Sequence, residues 1–240
     1  RICLKIYSLS DLILAQSVSY RDDLKIKLKN IKVELVFNSI NDENLDFDKE
    51  KKFENDLRKL NIISAGNFST TIPYKVFIKS IILLKENYGN YVNWNFYGNG
   101  TQFEYFKSEI IKNKLDDVVI LHGAVDQTLL PEIMKQNDLF ILGLIDEPLV
   151  SKTCPSRLIY AMANGMPIIA CAKGEISRIV LDSKCGFVSD PNDNKKLVEN
   201  IGKFVEMDHK NKVMLSSNSK SYYHKNFSRK RIFEKIHNLL

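Results

Sequence analysis

A chain of 240 residues is long enough for one large domain or two small ones, and 44% hydrophobic with 27% charged residues is typical of a globular protein. The net charge of +6 and the pI of about 9.0 favour anionic partners such as phosphates, anionic lipid or nucleic acid, but basic residues spread along the chain are equally typical of a solvated surface. No apolar run approaches the ~18 residues of a membrane span.

The four cysteines, Cys3, Cys154, Cys171 and Cys185, form no CxxC pair and have no histidine at metal-ligand spacing. Neither a zinc site nor a disulfide framework is therefore predicted, and a reducing, cytoplasmic compartment fits this usage. Because Arg1 opens the chain within a helical pattern, we expect the natural protein to have residues before it.

Short apolar runs alternate with helical patterns along the chain. Runs that predict buried strands are Leu12–Ala15, Lys32–Phe37, Ile62–Ala65, Trp94–Tyr97, Val118–Leu121, Leu139–Leu142, Pro167–Ala170 and Gly186–Val188. Helices are predicted at Tyr74–Glu86, Gln102–Lys114, Thr128–Gln136, Ser156–Ala163 and Asn194–Glu206. The alternation predicts an α/β fold with a doubly wound, Rossmann-like parallel sheet.

One break in composition divides the chain. Residues 41–59 (NDENLDFDKEKKFENDLRK) are almost wholly polar and predict a linker with a solvated helix. Residues 1–40 then form a βαβ remnant of a preceding domain, and residues 60–217 form a complete domain. Residues 218–240 end in a basic amphipathic helix, predicted from Ser221 to Leu240.

Loops after the strands are the candidate sites, since ligands of open α/β sheets bind at the carboxyl ends of the strands. Gly66-Asn67-Phe68-Ser69 after the third strand can present backbone N–H groups to an anion, or it can be a tight turn that needs glycine. Lys75 opens the next helix and can reach a phosphate or point to solvent. Further on, Tyr97–Thr101 predicts a turn in which Asn99 or Thr101 caps a helix.

Two later loops complete the candidates. His122 can act as a general base or be merely hydrogen-bonded, and Gly123 would let a ligand approach the backbone. Ser156 predicts a helix N-cap, and Arg157 lies in the first turn, where the helix dipole disfavours a cation. A bound phosphate would explain that placement, whereas the alternative is that Arg157 points to solvent or pairs with Glu147. Lys173-Gly174-Glu175 predicts a small polar turn.

In this order the motifs resemble the C-terminal, donor-binding half of a GT-B glycosyltransferase, most like the retaining family four enzymes that use nucleotide sugars. The matching pieces are IISAGNFS, NFYGNG, VVILHGAV, NDLFILGL, PSRLIYAMANGMPIIA, KGEISRIV and CGFVSDPND. The resemblance covers residues 60–217, and DLILAQS with VELVFNSIN looks like the end of the acceptor domain, with Asn38 at the interdomain crossing. Residues 218–240 would then pack back toward that domain.

The resemblance implies roles for particular residues. Gly66, Asn67, Ser156 and Arg157 match positions that bind the donor diphosphate, and Lys75 matches a second phosphate cation less cleanly. The backbone near Gly123 and Val125 would contact the nucleobase. No catalytic residue is assigned, and neither a metal nor another cofactor beyond the nucleotide-sugar co-substrate is implied.

The chain departs from the family at two glutamates spaced eight positions apart. Lys152 and Tyr160 occupy those positions, and Tyr160 can offer only its phenol to the ribose. The departure leaves three hypotheses: a transferase that moves sugar from a UDP- or GDP-sugar to a polysaccharide or lipid-linked acceptor, a nucleotide-sugar epimerase, and a non-catalytic nucleotide-binding subunit. The enzyme would act in the cytoplasm, at or near an anionic membrane surface, and nucleic acid is not an expected partner.

Overall fold

Two parallel sheets organise the chain in the computed structural model, which describes residues 2–43, 45, 47, 51–53 and 59–239. Strands β1 (Leu12–Ala15) and β2 (Lys32–Leu35) pair with each other. The six-stranded sheet has the order β5-β4-β3-β6-β7-β8. Its strands are β3 (Leu60–Ala65), β4 (Val92–Tyr97), β5 (Val119–Gly123), β6 (Leu139–Gly143), β7 (Ile168–Cys171) and β8 (Gly186–Ser189). The predicted doubly wound α/β fold and all eight predicted strands are confirmed, with ends shifted by at most two residues.

Ten helices surround these sheets in the described part of the chain. They are α1 (Ile2–Tyr7), α2 (Val18–Lys27), α3 (Tyr74–Tyr88), α4 (Phe103–Lys112), α5 (Leu130–Lys135), α6 (Ser156–Ala163), α7 (Glu175–Ser183), α8 (Asn194–Glu206), α9 (His209–Asn226) and α10 (Arg229–His237). Short 3₁₀ turns occupy Gly89–Tyr91, Gln127–Leu129 and Val150–Lys152. None of the described helices is both long and apolar enough to cross a bilayer.

Apolar side chains pack on both faces of the six-stranded sheet. One face carries an aromatic cluster in which Phe77 of α3 and Phe106 of α4 pack near Trp94 and Phe96 of β4. The other face packs against α6 and α7 through residues such as Met162 and Ile179. Burial on both faces suits a parallel sheet, whose strands run as continuous apolar segments. The two layers hold the carboxyl ends of the strands in place.

The C-terminal segment differs from the single helix predicted from Ser221 to Leu240. The chain instead ends α9 at Asn226 and starts α10 at Arg229. Phe227 between them is fully buried, and its ring packs edge-on against Phe37 at 4.8 Å between centroids. Phe227 is the C-cap residue of α9, and its backbone, with a φ of −121°, leaves the helical conformation there. The boundary predicted between residues 217 and 218 lies inside α9.

Of the predicted polar turn Lys173-Gly174-Glu175, the first two residues are exposed and precede α7, whereas Glu175 is the first residue of that helix. Glu175 is completely buried, and its two carboxylate oxygens accept hydrogen bonds from the backbone N–H groups of Val18 (3.1 Å) and Ser19 (3.2 Å) at the start of α2. Arg178 donates to the same carboxylate at 2.7 Å. Glu175 therefore caps a helix distant in sequence and joins the β1-α2-β2 unit to the larger sheet.

The predicted solvated helix within residues 41–59 falls partly outside the described residues. Residues 41–43, 45, 47 and 51–53, which the structure describes, are not helical. Phe53 is buried in the aromatic cluster, and the Lys51 ammonium donates to the backbone carbonyls of Met134 (3.1 Å) and Asn137. The polar linker is thus anchored along the domain at several described points.

The buried carboxylate of Glu175 makes stability depend on pH. Burial by itself would raise the pKa of Glu175, but hydrogen bonds from Arg178, Ser19 and Val18 outweigh it and lower the pKa below its ordinary value of 4.5. A lowered folded-state pKa stabilises the fold at neutral pH, and this stabilisation is lost as the pH falls through both values. We expect Glu175→Gln to lower the free energy of unfolding by ~1–3 kcal/mol at pH 7.

Thermal unfolding of Glu175→Gln and the parent chain at pH 7 and near pH 4 measures this effect, and the difference in stability should shrink at the lower pH. Glu104→Gln is the control, because Glu104 is exposed on α4. A Glu175→Gln variant as stable as the parent chain at pH 7 would contradict the proposed capping role.

Candidate functional site

A cleft of about 840 Å³ opens at the carboxyl ends of β3, β4 and β5. This is where an open parallel sheet binds its ligands. The N-terminus of α6 faces the same cleft. Its lining includes residues from the loops after these strands, from α5 and α6, and from the segment around the start of the linker: Ser39, Ile40, Asn41, Leu45, Gly66, Asn67, Tyr97, Val125, Glu132, Ser156, Arg157 and Tyr160.

Glycines let the loops after β3 and β4 approach one another. Gly66 and Gly98 have φ values of +134° and +132°, and the Gly66 N–H donates to the Tyr97 carbonyl at 2.9 Å. A Cβ atom on Gly98 would lie 1.9 Å from the Gly66 carbonyl oxygen, and one on Gly100 would lie 2.2 Å from Oδ1 of Asn67. No side chain fits at either place, so these glycines are needed for close backbone packing.

The predicted helix cap at Asn99 or Thr101 is wrong. Residue Gln102 occupies the N-cap of α4 and makes no side-chain capping bond. The Asn99 side chain instead accepts from the Gly100 N–H at 2.7 Å, and the Asn99 carbonyl accepts from Phe68 at 2.9 Å. Asn99 therefore ties the two glycine-rich loops together.

Arg157 lies against the glycine of the first loop. A Cβ atom on Gly66 would lie 2.7 Å from Nη1 of Arg157, so the guanidinium occupies the space that a side chain at position 66 would fill. Its Nε is buried and has no hydrogen-bond partner, and Arg157 forms no ion pair with a described carboxylate, Glu147 included. Burial lowers the pKa of Arg157 to about 10, while nearby Tyr74 acts in the opposite direction.

At neutral pH Arg157 remains a cation whose charge no described side chain neutralises. Desolvating an unpaired charge is costly, and an anion in the cleft would offset this cost. The same environment raises the pKa of the Tyr74 phenol through burial, so Tyr74 stays neutral and does not supply a counter-charge.

Ser156 is the first helical residue of α6, whereas an N-cap was predicted. Pro155 takes the N-cap position, and no side chain caps the helix. Both Ser156 and Arg157 line the cleft, as expected. The uncapped first turn leaves backbone N–H groups near the guanidinium, which is an arrangement that suits an anion.

The two positions that depart from the family pattern lie in different places. Tyr160 lines the cleft, and its hydroxyl is 3.5 Å from the Gln127 carbonyl oxygen. Lys152 does not line the cleft, and its ammonium pairs with Asp23 of α2 at 3.0 Å. Lys152 therefore contributes to the contact with the β1-α2-β2 unit.

Some of the remaining predicted residues line the cleft and others do not. Asn67 and Val125 line the cleft, and Gly123, with a φ of +71°, ends β5 just before it. Lys75 is exposed on the first turn of α3 and does not line the cleft. His122 stacks on Tyr97 at 4.1 Å between ring centroids, and its Nε2 lies 3.0 Å from Oδ1 of Asn95, so it is a packed and hydrogen-bonded residue.

Sequence reasoning missed the lining residues Ser39, Ile40, Asn41 and Leu45, because the mostly polar segment that begins here predicts exposure to solvent and not the side of a cleft. It also missed Glu132, which lines the cleft and pairs with Lys135 at 3.1 Å. Glu132 is the only carboxylate lining this cleft within the described residues. No cluster of three metal-ligating side chains occurs in the part of the chain that the structure describes.

The close approach of the loops generates a prediction. Gly98→Ala would place Cβ against the Gly66 carbonyl, and we expect it to lower the free energy of unfolding by roughly 3 kcal/mol. Gly89→Ala is the matched control, since Gly89 also has a positive φ, of +57°, but has no atom near the added methyl group. That control carries the backbone cost of a positive φ without the clash, and it should lose less free energy of unfolding than Gly98→Ala. Denaturant unfolding measures both variants, and an equal loss in both would refute the packing argument.

The family model described as glycosyl transferases group 1 matches residues 46–222. No curated protein sequence matches the chain significantly. HepE from Anabaena, crystallised with UDP-glucose, is 16% identical with a TM-score of 0.81, and the match covers 100% of this chain and 66% of HepE.

Two further solved structures share the fold. A TarM variant from S. aureus, in complex with fondaparinux, α-GlcNAc-glycerol and UDP, is 16% identical with a TM-score of 0.79. The match covers 98% of this chain and 45% of TarM. The pneumococcal O-GlcNAc transferase GtfA, in complex with UDP and GlcNAc, is 14% identical with a TM-score of 0.74. The match covers 99% of this chain and 46% of GtfA. The chain thus spans less than two thirds of each of these proteins. It has the GT-B, Rossmann-like architecture and belongs to the glycosyl transferases group 1 family.

Proposed function

We propose that this chain carries the donor site of a glycosyltransferase that moves a hexose or acetamido-hexose from a UDP- or GDP-sugar to a polysaccharide or lipid-linked acceptor. The observation that carries the proposal is Arg157, an unneutralised, partly buried guanidinium beside Gly66 at the uncapped start of α6. The diphosphate of a nucleotide sugar is negatively charged and of a size that fits this end of the cleft. It would pair with the Arg157 guanidinium and accept hydrogen bonds from the first N–H groups of α6.

Structural neighbours support a uridine nucleotide as the first candidate. HepE, TarM and GtfA were each crystallised with UDP or UDP-glucose. In this chain the diphosphate would lie between Gly66, Asn67, Ser156 and Arg157, and the base would lie toward the backbone near Gly123 and Val125. The Tyr160 hydroxyl would take the place of the family glutamate as the group nearest the ribose.

The proposed reaction asks little of side-chain chemistry. As the sugar leaves, negative charge builds on the diphosphate, and preorganised backbone N–H groups with the Arg157 guanidinium would stabilise it. In a retaining mechanism of this type, the departing phosphate assists deprotonation of the acceptor hydroxyl, so a protein nucleophile is not needed. No cofactor other than the nucleotide-sugar co-substrate is proposed.

A non-catalytic nucleotide-binding subunit is the second candidate. The position of the first family glutamate holds Lys152, which pairs with Asp23 outside the cleft lining. An epimerase is less favoured, since Glu132 is the only carboxylate in the described lining and is paired with Lys135. Donor turnover with a lipid-linked acceptor separates the transferase from the non-catalytic subunit.

We further propose that the protein acts in the cytoplasm at an anionic membrane surface, in cell-surface glycan synthesis. Helix α10 carries the basic residues Lys230, Arg231 and Lys235 together with Phe233, whose side chain is 56% exposed. Basic residues beside an exposed aromatic ring are attracted to anionic headgroups.

Nucleotide binding tests the donor site. We expect calorimetric titration of the 240-residue chain with UDP, GDP and ADP to detect one preferred nucleotide, and Arg157→Ala to weaken its binding about 10- to 100-fold through the lost charge-assisted hydrogen bonds. Tyr160→Phe in the same titration should weaken UDP binding by a smaller factor, since only one hydroxyl is removed.

Arg231→Ala is the matched control, because this arginine is 66% exposed on α10, away from the cleft lining. It should bind nucleotide as the parent chain does. Absence of binding to all three nucleotides, or unchanged binding by Arg157→Ala, would exclude the diphosphate site.

Membrane association has its own test. In sedimentation with liposomes, the fraction bound should rise with the content of anionic lipid and fall with salt. A variant with Lys230, Arg231 and Lys235 changed to Gln should bind less, whereas Lys107→Gln on exposed α4 should not change binding. Binding that is independent of anionic lipid would refute this part of the proposal.

A further inference from the structure

The last two residues before the linker and the start of the linker together form a wall of the nucleotide-sugar cleft. Ser39, Ile40, Asn41 and Leu45 line it, and we call these four residues the linker wall. Ile40 is buried, and Ile40 and Leu45 belong to the same apolar cluster as Tyr160 and Met134. The wall and the side chains of Tyr160 and Met134 thus share one apolar cluster and line the same cleft.

Asp42 lies between the wall residues Asn41 and Leu45 in the sequence. Its carbonyl accepts from the Leu45 N–H at 3.2 Å, and the neighbouring Asn41 side chain accepts from the Glu43 N–H at 3.3 Å. Both bonds are local and hold the wall residues relative to Asp42. They do not by themselves hold the wall against the domain.

The carboxylate of Asp42 supplies that attachment. One oxygen, Oδ2, accepts from the Tyr223 hydroxyl at 2.7 Å and from the backbone N–H of Arg229 at 3.1 Å. Tyr223 is fully buried in α9, and Arg229 begins α10, whose own N-cap residue Ser228 makes no side-chain capping bond. Asp42 therefore caps α10 from the linker.

Neighbouring contacts follow the same path. The Phe47 ring stacks on Tyr223 at 5.7 Å between centroids, and the Lys220 ammonium donates to the Phe47 carbonyl at 3.2 Å. Glu43 pairs with Arg229 at 2.6 Å. The exposed ion pair adds little free energy, whereas the two bonds to the Asp42 carboxylate involve half-buried groups and have fixed geometry.

Tyr223 donates reliably to this carboxylate. Burial, followed by the hydrogen bond to Asp42, raises the pKa of the Tyr223 phenol, so the hydroxyl keeps its proton throughout the physiological range. The same aromatic residue belongs to the apolar cluster that contains Tyr160 of the cleft lining. A chain of packed residues thus connects Asp42 with the proposed ribose end of the cleft.

We propose that Asp42 is a positioning residue for the nucleotide-sugar site: it holds Tyr223 and the start of α10, and so sets the place of the linker wall against the bound nucleotide. The inference rests on the proposed function, since it takes the cleft to bind a nucleotide. Asp42 itself does not line the cleft, so its effect on the ligand passes through Ile40, Asn41 and Leu45.

Titration with UDP tests the proposal, using variants that distinguish the hydrogen bonds made by Asp42 from its negative charge. Asp42→Ala removes both bonds, and Tyr223→Phe removes one while keeping the stacked ring. We expect the Kd for UDP to rise at least about fivefold in Asp42→Ala and by a smaller factor in Tyr223→Phe. Asp42→Asn keeps an acceptor oxygen of the same shape and should restore binding to within about twofold of the parent chain.

Asp208→Ala is the matched control. Asp208 is also a helix-capping aspartate, accepting from the Asn211 N–H at 2.7 Å at the start of α9, but its side-chain hydrogen bonds go to Asn211 and it does not line the cleft. It should lower the melting temperature about as much as Asp42→Ala and leave the Kd for UDP unchanged, with titrations run well below both melting temperatures.

Each result of the series has a defined meaning. Unchanged binding by Asp42→Ala, weakened binding by Asp208→Ala, or a loss in Asp42→Asn as large as in Asp42→Ala would overturn the positioning role. If the parent chain binds none of the three nucleotides, the proposed function itself fails. A parent chain that binds UDP while Asp42→Ala binds equally well overturns only this inference.

Discussion

The loops after β3 and β4 meet backbone to backbone, and the arrangement of the cleft depends on that contact. Strand pairing sets it up, since Ala65 lies opposite Tyr97 in the parallel register and the two chains leave the sheet side by side. The Gly66 carbonyl then lies where a Cβ on Gly98 would be, and the bare Cα of Gly66 leaves room for the guanidinium of Arg157. Because Gly66 and Gly98 have no side chains, the two loops, the Arg157 guanidinium and the start of α6 can lie close together.

Two arginines of this chain show how charge is handled inside and outside the cleft. Arg178 donates to Glu175 at 2.7 Å and to Asp182 at 2.6 Å, and its role in the fold is complete. Arg157 has no such partner among the described residues, although burial makes its charge more costly. The difference in ion pairing supports the proposed role of Arg157 toward a ligand, whereas Arg178 is paired within the fold.

The sheet could be predicted because its strands are continuous apolar runs, and the cleft because parallel strands place their loops at one edge. Helix α2 was predicted only as the middle of a βαβ unit, without bounds, since it buries no side chain completely and its pattern is polar. Helix α7 was missed although Ile176, Ile179 and Val180 have helical spacing, because Gly174-Glu175 was interpreted as a turn. The linker wall depends on bonds between residues far apart in sequence, such as Asp42 and Tyr223, which no local pattern encodes.

The attachment of the linker to α10 also has a consequence for the order of folding. Asp42 and Arg229 are 187 positions apart, so their hydrogen bond closes a loop that contains the whole six-stranded sheet. Such a contact forms late, since the entropy of closing a long loop must be offset by structure already present. During synthesis the sheet and Arg157 can be in place before Arg229 leaves the ribosome. The side of the cleft formed by Ser39, Ile40, Asn41 and Leu45 then becomes native only after α9 and α10 have folded.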